Sequence, residues 1–244
     1  MTRRFQLTAL LALAFLMGCT PPSENIVRRT HSAAEEGGHP NVPIHAGQAD
    51  GASLDPSTHR IISRYGQSIK EYASQYGFDW RLILAIMKQE SGFEADAESQ
   101  RGASGLMQVM PVTQKEVADR LDIESSNYAA SNIRIGVYYL RTLHEMFRGA
   151  NEADRLKLTL ASYNAGLGRI LDAQEIAAYL GDNPVRWQAV RESLPLLSRR
   201  FASLHQHVWA DEHPHNGHFG GAKQTVAYVD SVIAHYETYL RCLN

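Results

Sequence analysis

The stretch Asp79-Trp80-Arg81-Leu82-Ile83-Leu84-Ala85-Ile86-Met87-Lys88-Gln89-Glu90-Ser91-Gly92 decides the fold class. Six consecutive apolar residues, Leu82 to Met87, leave a helix no polar face at its centre, which is the pattern of a helix enclosed on all sides by a core. Asp79 suits the N-cap, since its carboxylate can accept from the first free amide groups. The helix is expected over Trp80 to about Glu90, and the chain turns away at Ser91-Gly92. Glu90 does not fit this apolar setting. A carboxyl held against apolar surface titrates higher than usual and can stay protonated near neutral pH, as a general acid must. The plainer reading is a glutamate on an exposed last turn, and position alone leaves both open.

Helical periodicity continues on both sides. Upstream, Ile61, Ile62, Tyr65, Ile69, Tyr72 and Tyr76 recur at three- and four-residue spacing until Gly77. Downstream, residues 91–110 read as a long loop with Gly92, Gly102 and Gly105, and Thr113-x-x-Glu116 reads as a capping box that starts the next helix. Further helices are expected over about 132–147, 154–165, 168–180, 185–197 and 224–241. No stretch sustains period-2 alternation between turn signals, and no internal repeat is visible. The fold class is all-α, as a single domain over residues 56–244.

The chain has 244 residues, 44% hydrophobic and 20% charged, enough for a substantial core. With 24 Lys+Arg against 26 Asp+Glu, the net charge of −2 gives no general electrostatic reason to seek nucleic acid. At the N-terminus, Thr2-Arg3-Arg4 is followed by an apolar run from Phe5 to Met17, too short for a comfortable membrane span but right for a secretory signal. It ends in Leu16-Met17-Gly18-Cys19, which resembles a bacterial lipobox. That resemblance implies a signal peptide over residues 1–18, acylation of Cys19, and attachment to a membrane by lipid rather than by a helix. Residues 19–55 lack aromatics and are dotted with Pro and Gly, so they read as a flexible tether. Fully extended at about 3.3–3.6 Å per residue, it would reach roughly 100 Å. Thr20 in place of Asp after the cysteine resembles lipoproteins sent to the periplasmic side of the outer membrane.

Two more segments look chemical. In Gly102-Ala103-Ser104-Gly105-Leu106-Met107-Gln108-Val109-Met110-Pro111, two glycines and two methionines surround one Gln. This suits a backbone that approaches a ligand, with adaptable apolar walls and one amide. In Ala161-Ser162-Tyr163-Asn164-Ala165-Gly166, a helix ends at glycine with Tyr and Asn just inside it. Each alone has a bland reading, a glycine-rich turn and an ordinary C-cap.

Together, Glu90-Ser91, Gly105 to Pro111 and Ser162 to Gly166 stand in the order and at the distances that resemble the lytic transglycosylases of the soluble-lytic-transglycosylase type, glycoside hydrolase family 23. The likeness runs from about Ser57 to Arg241. Leu167 to Ala173 and Pro184-x-x-Trp187 extend it, in particular towards the catalytic domain of the membrane-bound F members. Those members carry an N-terminal solute-binding-like domain that has no counterpart in these 244 residues.

The resemblance implies a lysozyme-like helical fold and cleavage of the MurNAc-GlcNAc β-1,4 linkage of peptidoglycan glycan strands. It makes Glu90 the single catalytic acid/base and implies no cofactor and no metal. Ser99, Met107, Gln108, Tyr163, Asn164 and Tyr228 match family positions that contact the sugar. Gln224 departs from the family's usual Glu four residues before that last Tyr, and Ser162 stands where most members have Ala. A single acid/base is unusual, because most glycosidases place two carboxylates about the bond. Glu94, Asp96 and Glu98 in the loop read as solvated charges. A lysozyme-type hydrolase and a non-catalytic peptidoglycan-binding scaffold are the rival readings, and partner proteins in the envelope stay unidentified.

Five of the 11 histidines, His205, His207, His213, His215 and His218, crowd one polar stretch, read as a solvated loop or groove rim rather than a zinc site. The two cysteines, Cys19 and Cys242, read as a lipid attachment point and a packing residue in the last turn of the final helix.

Overall fold

The computed structural model describes residues 54–123 and 128–243. The expected signal peptide, Cys19 and all but the end of the tether lie outside the described residues. Among those described there are nine α-helices: α1 Pro56–Tyr76, α2 Trp80–Ser91, α3 Pro111–Leu121, α4 Tyr128–Met146, α5 Glu152–Ala165, α6 Leu167–Tyr179, α7 Trp187–Ser193, α8 Ala202–Val208 and α9 Ala222–Cys242. Two 3-10 turns, Leu194–Leu197 and Arg199–Phe201, complete the elements. The all-α expectation holds: the only extended pairing among the described residues is a pair of isolated bridges, Glu98 with Ser104 and Ser104 with Val109.

The described chain forms two compact units, one built from residues up to Thr142 and from Asp230 onward, the other from Leu143–Val229. In the first, α2 is the centre. Leu82, Ile83, Leu84, Ala85, Ile86 and Met87 are all buried, as the unbroken apolar run requires. α1 packs on α2 with Ile61, Ile69 and Ala73 buried, and Gly77 closes α1 in the left-handed conformation. Asp79 caps α2, accepting from the Arg81 amide at 2.8 Å. The Arg81 guanidinium closes back on Asp79 and also donates to the carbonyl of Leu243 at 2.9 Å, which ties the C-terminal end to the start of α2. Asp55 caps α1, accepting from the amides of Ser57 and Thr58 at 3.0 and 3.1 Å. The Thr58 hydroxyl lies 3.3 Å from that of Tyr239 on α9.

In the second unit α5, α6 and α7 pack on one another through Leu158, Leu160, Ile170, Ile176, Val190 and their neighbours, all buried. Asp172 on α6 is buried and accepts from both the backbone and side-chain amides of Asn216, at 2.9 and 3.0 Å. Burial pushes its carboxyl above the usual value, against those two hydrogen bonds. The bonds hold the segment after α8 against α6. A side chain on Gly168 would run into Asn216, with a Cβ only 2.1 Å from its Oδ1.

Three local expectations are corrected. α3 begins at Pro111, not at a Thr113 capping box: Met110 is the N-cap, without a side-chain bond. Proline's fixed φ and missing N–H suit the first helical position, so Thr113 falls inside the first turn and is buried. The helix expected over 185–197 is broken in two. The Trp187 amide is taken by Asp154 Oδ1 at 3.0 Å where α7 begins, and Pro195 turns the last residues into a 3-10 turn because it has no amide to donate. The histidine stretch is not simply a solvated loop. His205 lies in α8, which periodicity missed; it is fully buried and its Nε2 donates to the Leu196 carbonyl at 2.7 Å. Its ring meets those of Trp209 and His218 at 5.5 and 5.3 Å. Cys242, half-buried, is the last residue of α9.

Burial acts to raise the Asp55 carboxyl, but hydrogen bonds from Ser57 and Thr58 and the charge of Lys88 outweigh it and hold the group well below the usual carboxylate range. Folding therefore favours its ionised form. That stabilisation is present above the unfolded value near 4 and is lost as pH falls from there through the folded value. Asp55→Ala is expected to cost about 1 kcal/mol at pH 7, read by thermal or denaturant unfolding. The gap from the parent chain should narrow steadily as pH is taken below 4; a gap independent of pH would contradict the account.

Candidate active site

α2 delivers Glu90 to its own C-terminal end. Although on the last turn, Glu90 is buried, with only 7% of its surface exposed; the plainer expectation of an exposed terminal glutamate does not hold. Glu94, Asp96 and Glu98 in the following loop are all exposed, as expected. Around the end of α2, then, one carboxyl is withdrawn from water and three are solvated.

Ser91 fastens this helix end to the loop. Its hydroxyl lies 3.0 Å from the Leu106 carbonyl and 3.1 Å from that of Met87, able to donate to either, and it accepts from the Phe93 amide at 3.1 Å. Residues 97–109 fold back on themselves. The Ser99 amide donates to the Ala103 carbonyl and the Ser99 hydroxyl accepts from the Ala103 amide, while the Gly105 amide donates to Ala97 and Ser104 exchanges two bonds with Val109. This is why a loop of nineteen residues, 92–110, without regular secondary structure can hold a fixed shape.

Gln108 is part of that bracing. It is 6% exposed and adopts φ 45°, and its Nε2 donates to the carbonyls of Ala97 and Gly105 at 3.0 and 2.9 Å. Both amide protons are thereby spent inside the loop, and Oε1 is the polar atom these bonds leave over. Met107 is fully buried, so it forms the floor beneath the loop. Its side chain rests on α4 at Gly136, where an added Cβ would come within 2.6 Å of the Met107 Cβ. Ser99 is half-buried.

The sequence reading missed Asn132 on α4. It is 1% exposed; its Oδ1 accepts from the Met107 amide and its Nδ2 donates to the Ser104 carbonyl, both at 2.9 Å. Gly105, at φ 79°, passes so close that a Cβ there would lie 2.5 Å from the Asn132 amide carbon. The visible signal is one amide just before the apolar positions Ile133, Ile135 and Val137 of α4.

In the second unit, Tyr163 is half-buried and Asn164 buried at the end of α5, where Gly166 at φ 89° lets α6 start at once. The Asn164 Oδ1 and the Ser162 hydroxyl are buried with no hydrogen-bond partner among the described residues, so serine at 162 carries a desolvation cost that alanine would not. Tyr228 is 5% exposed on α9, one turn after the half-buried Gln224. No group of three or more His, Cys, Asp or Glu among the described residues is placed to hold a metal ion.

Comparison with known proteins identifies part of the chain. Residues 67–184, from α1 through the turn after α6, match the transglycosylase SLT domain. This segment is an SLT domain. The chain is 37% identical over 179 residues to membrane-bound lytic murein transglycosylase F of Desulfosudis oleivorans, an alignment that covers 72% of this chain and 36% of that protein. Among solved structures it resembles the lytic transglycosylase Slt of Pseudomonas aeruginosa, determined as an inactive Glu-to-Gln mutant. Identity is 28% and TM-score 0.51 over 78% of this chain and 25% of that one. It also resembles the 70-kDa soluble lytic transglycosylase in complex with bulgecin A, with 26% identity and TM-score 0.51 over 75% and 25%. The chain thus spans about a third of the length of the curated relatives it matches.

Gly136→Ala tests the floor of this loop. The new methyl would have to displace Met107, at a cost of about 1–3 kcal/mol for an overpacked core position, measurable by denaturant unfolding. A variant as stable as the parent would show that Met107 is not seated against α4.

Proposed function

We propose that this chain is a peptidoglycan lytic transglycosylase that cuts the MurNAc-GlcNAc β-1,4 bond and leaves a 1,6-anhydroMurNAc end. The observation that carries the reading is the carboxyl withdrawn at the end of α2, Glu90, fastened through Ser91 to the loop that holds Gln108. The SLT domain and the murein transglycosylases among the relatives supply the substrate class. A solved relative inactivated by a Glu-to-Gln change favours a chemistry that hangs on one glutamate.

Glu90 is the acid in the first step, donating its proton to the glycosidic oxygen as the bond to C1 of MurNAc breaks. As a carboxylate it then takes the proton from the C6 hydroxyl of the same sugar, whose oxygen bonds to C1. The leaving sugar keeps the first proton, Glu90 recovers one, and no water is consumed. An internal nucleophile already held near C1 replaces the second carboxylate that a hydrolase needs. The low exposure of Glu90 suits the first step by keeping the acid apart from bulk water. Ser99, Gln108, Tyr163, Asn164 and Tyr228 bind the glycan in this reading, and buried Met107 supports the loop from beneath.

Purified sacculi digested by the wild-type chain should give anhydro-ended muropeptides by mass spectrometry, and Glu90→Gln should lower their release at least about 100-fold. Reducing ends would assign a lysozyme-type hydrolase instead. No release by the wild type, with function in cells kept by Glu90→Gln, would assign a binding scaffold.

Residues 1–18 act as a signal peptide in this reading, Cys19 carries the lipid, residues 20–55 are the tether and residues 56–244 the catalytic domain, working from the periplasmic side of the outer membrane. No helix among the described residues is long and apolar enough to cross a membrane, and the F-type relatives are named as membrane-bound. Cys19→Ala should abolish incorporation of labelled palmitate and move the protein out of the membrane fraction; a variant still labelled and sedimenting with membranes would rule out attachment at Cys19.

A further inference from the structure

We infer that Asn132 is a positioning residue for Glu90, acting through the Leu106–Met107 peptide group; the inference rests on the reading of Glu90 as the acid/base. A peptide group is planar, so fixing its oxygen and its N–H together fixes the orientation of the whole plane. Here the two ends are held by different helices. The carbonyl of Leu106 faces the Ser91 hydroxyl of α2 at 3.0 Å, and the amide of Met107 donates to Asn132 Oδ1 of α4 at 2.9 Å. Ser91 is the residue next to Glu90. The peptide plane is therefore a strut between α4 and the helix end that presents the carboxyl.

Asn132 is well matched to this task. Its second polar atom is engaged in the same turn, with Nδ2 on the Ser104 carbonyl at 2.9 Å, so the amide grips the backbone two peptides apart and cannot rotate. Ser91, Leu106, Met107 and Asn132 are each at most 2% exposed. They are shut off from bulk solvent, and an orphaned donor and acceptor there would force the turn to move. Gly105 is the residue over which the amide lies, and any side chain on it would collide with Asn132.

If the strut slackens, the Ser91 hydroxyl keeps only the Met87 carbonyl of its own helix, the tie from the end of α2 to the loop is lost, and the carboxyl beside it loses its aim. Misplacement of a reacting group by about 1 Å is enough to cost on the order of 100-fold in rate. Asn132 touches no substrate in this account. Its effect falls on kcat, through geometry, rather than on binding.

The test uses the full chain and initial rates on solubilised glycan strands. Asn132→Ala is expected to lower kcat by on the order of 10- to 100-fold with KM changed by less than about threefold. Asn132→Asp keeps the size and the acceptor for Met107 but sets a second oxygen against the Ser104 carbonyl unless it is protonated. Its kcat relative to wild type should therefore rise as pH falls, and this variant carries the test if the alanine chain does not fold. Ser91→Ala and Asn132→Ala should combine less than additively, since both release one peptide plane. Amide exchange at Met107, faster in Asn132→Ala than in wild type, reads the strut without any activity. The inference is overturned if kcat in the folded variants stays within about twofold of wild type while stability drops, if the two substitutions are additive, or if Met107 exchange is unchanged. A wild-type chain that releases no anhydro product counts against the proposed activity alone, because the exchange measurement still decides the strut.

Discussion

The placement of Glu90 depends on the burial of α2. A helix apolar all round must be enclosed, and enclosing it carries its last turn out of water as well. Glu90 is thereby withdrawn from water. The capping of α2 by Asp79 and the tie from Arg81 to the Leu243 carbonyl fasten the other end. The carboxyls at 94, 96 and 98, a few residues further along, escape this constraint and are exposed. One buried acid beside three solvated ones is the asymmetry that a single acid/base requires.

The loop from Ser91 to Met110 turns that buried acid into a site with shape. It has almost no regular structure, and its order comes from hydrogen bonds that run back into its own backbone. Gln108 shows the principle most clearly. An amide that looks from its setting like a ligand-binding group spends both protons on carbonyls of the loop. Met107 goes further and turns its whole side chain into the core. The motif around these residues is thus a device for holding backbone. The close seats at Gly105 and Gly136 are the places where backbone and side chain must come nearer than any Cβ permits.

Much of this was legible in the sequence, for identifiable reasons. The long helices carry sustained 3.6-residue periodicity, and the caps at Asp79 and Gly77 announce themselves by residue type. What periodicity could not supply was anything set by a partner distant in the chain. Thr113 satisfies a capping pattern, but Pro111 two residues earlier starts the helix first. α8 is too short to show a period, and its fully buried histidine sits in a stretch whose composition reads as surface. Asn132 went unseen because its role depends on a turn some twenty-five residues before it. Glu90 could be singled out as anomalous, yet only packing decides whether a terminal glutamate faces water or core.

The central claim is that the nucleophile belongs to the substrate, so that one carboxyl serves both steps. Digestion of sacculi by the wild-type chain in water enriched in oxygen-18, followed by mass spectrometry of the released ends, tests it most directly. The account predicts anhydro ends that carry no heavy oxygen, because no water enters the reaction. One heavy oxygen gained at C1 for each bond cut would contradict it, and would mean that the site admits water to the carbon that the C6 hydroxyl is meant to reach.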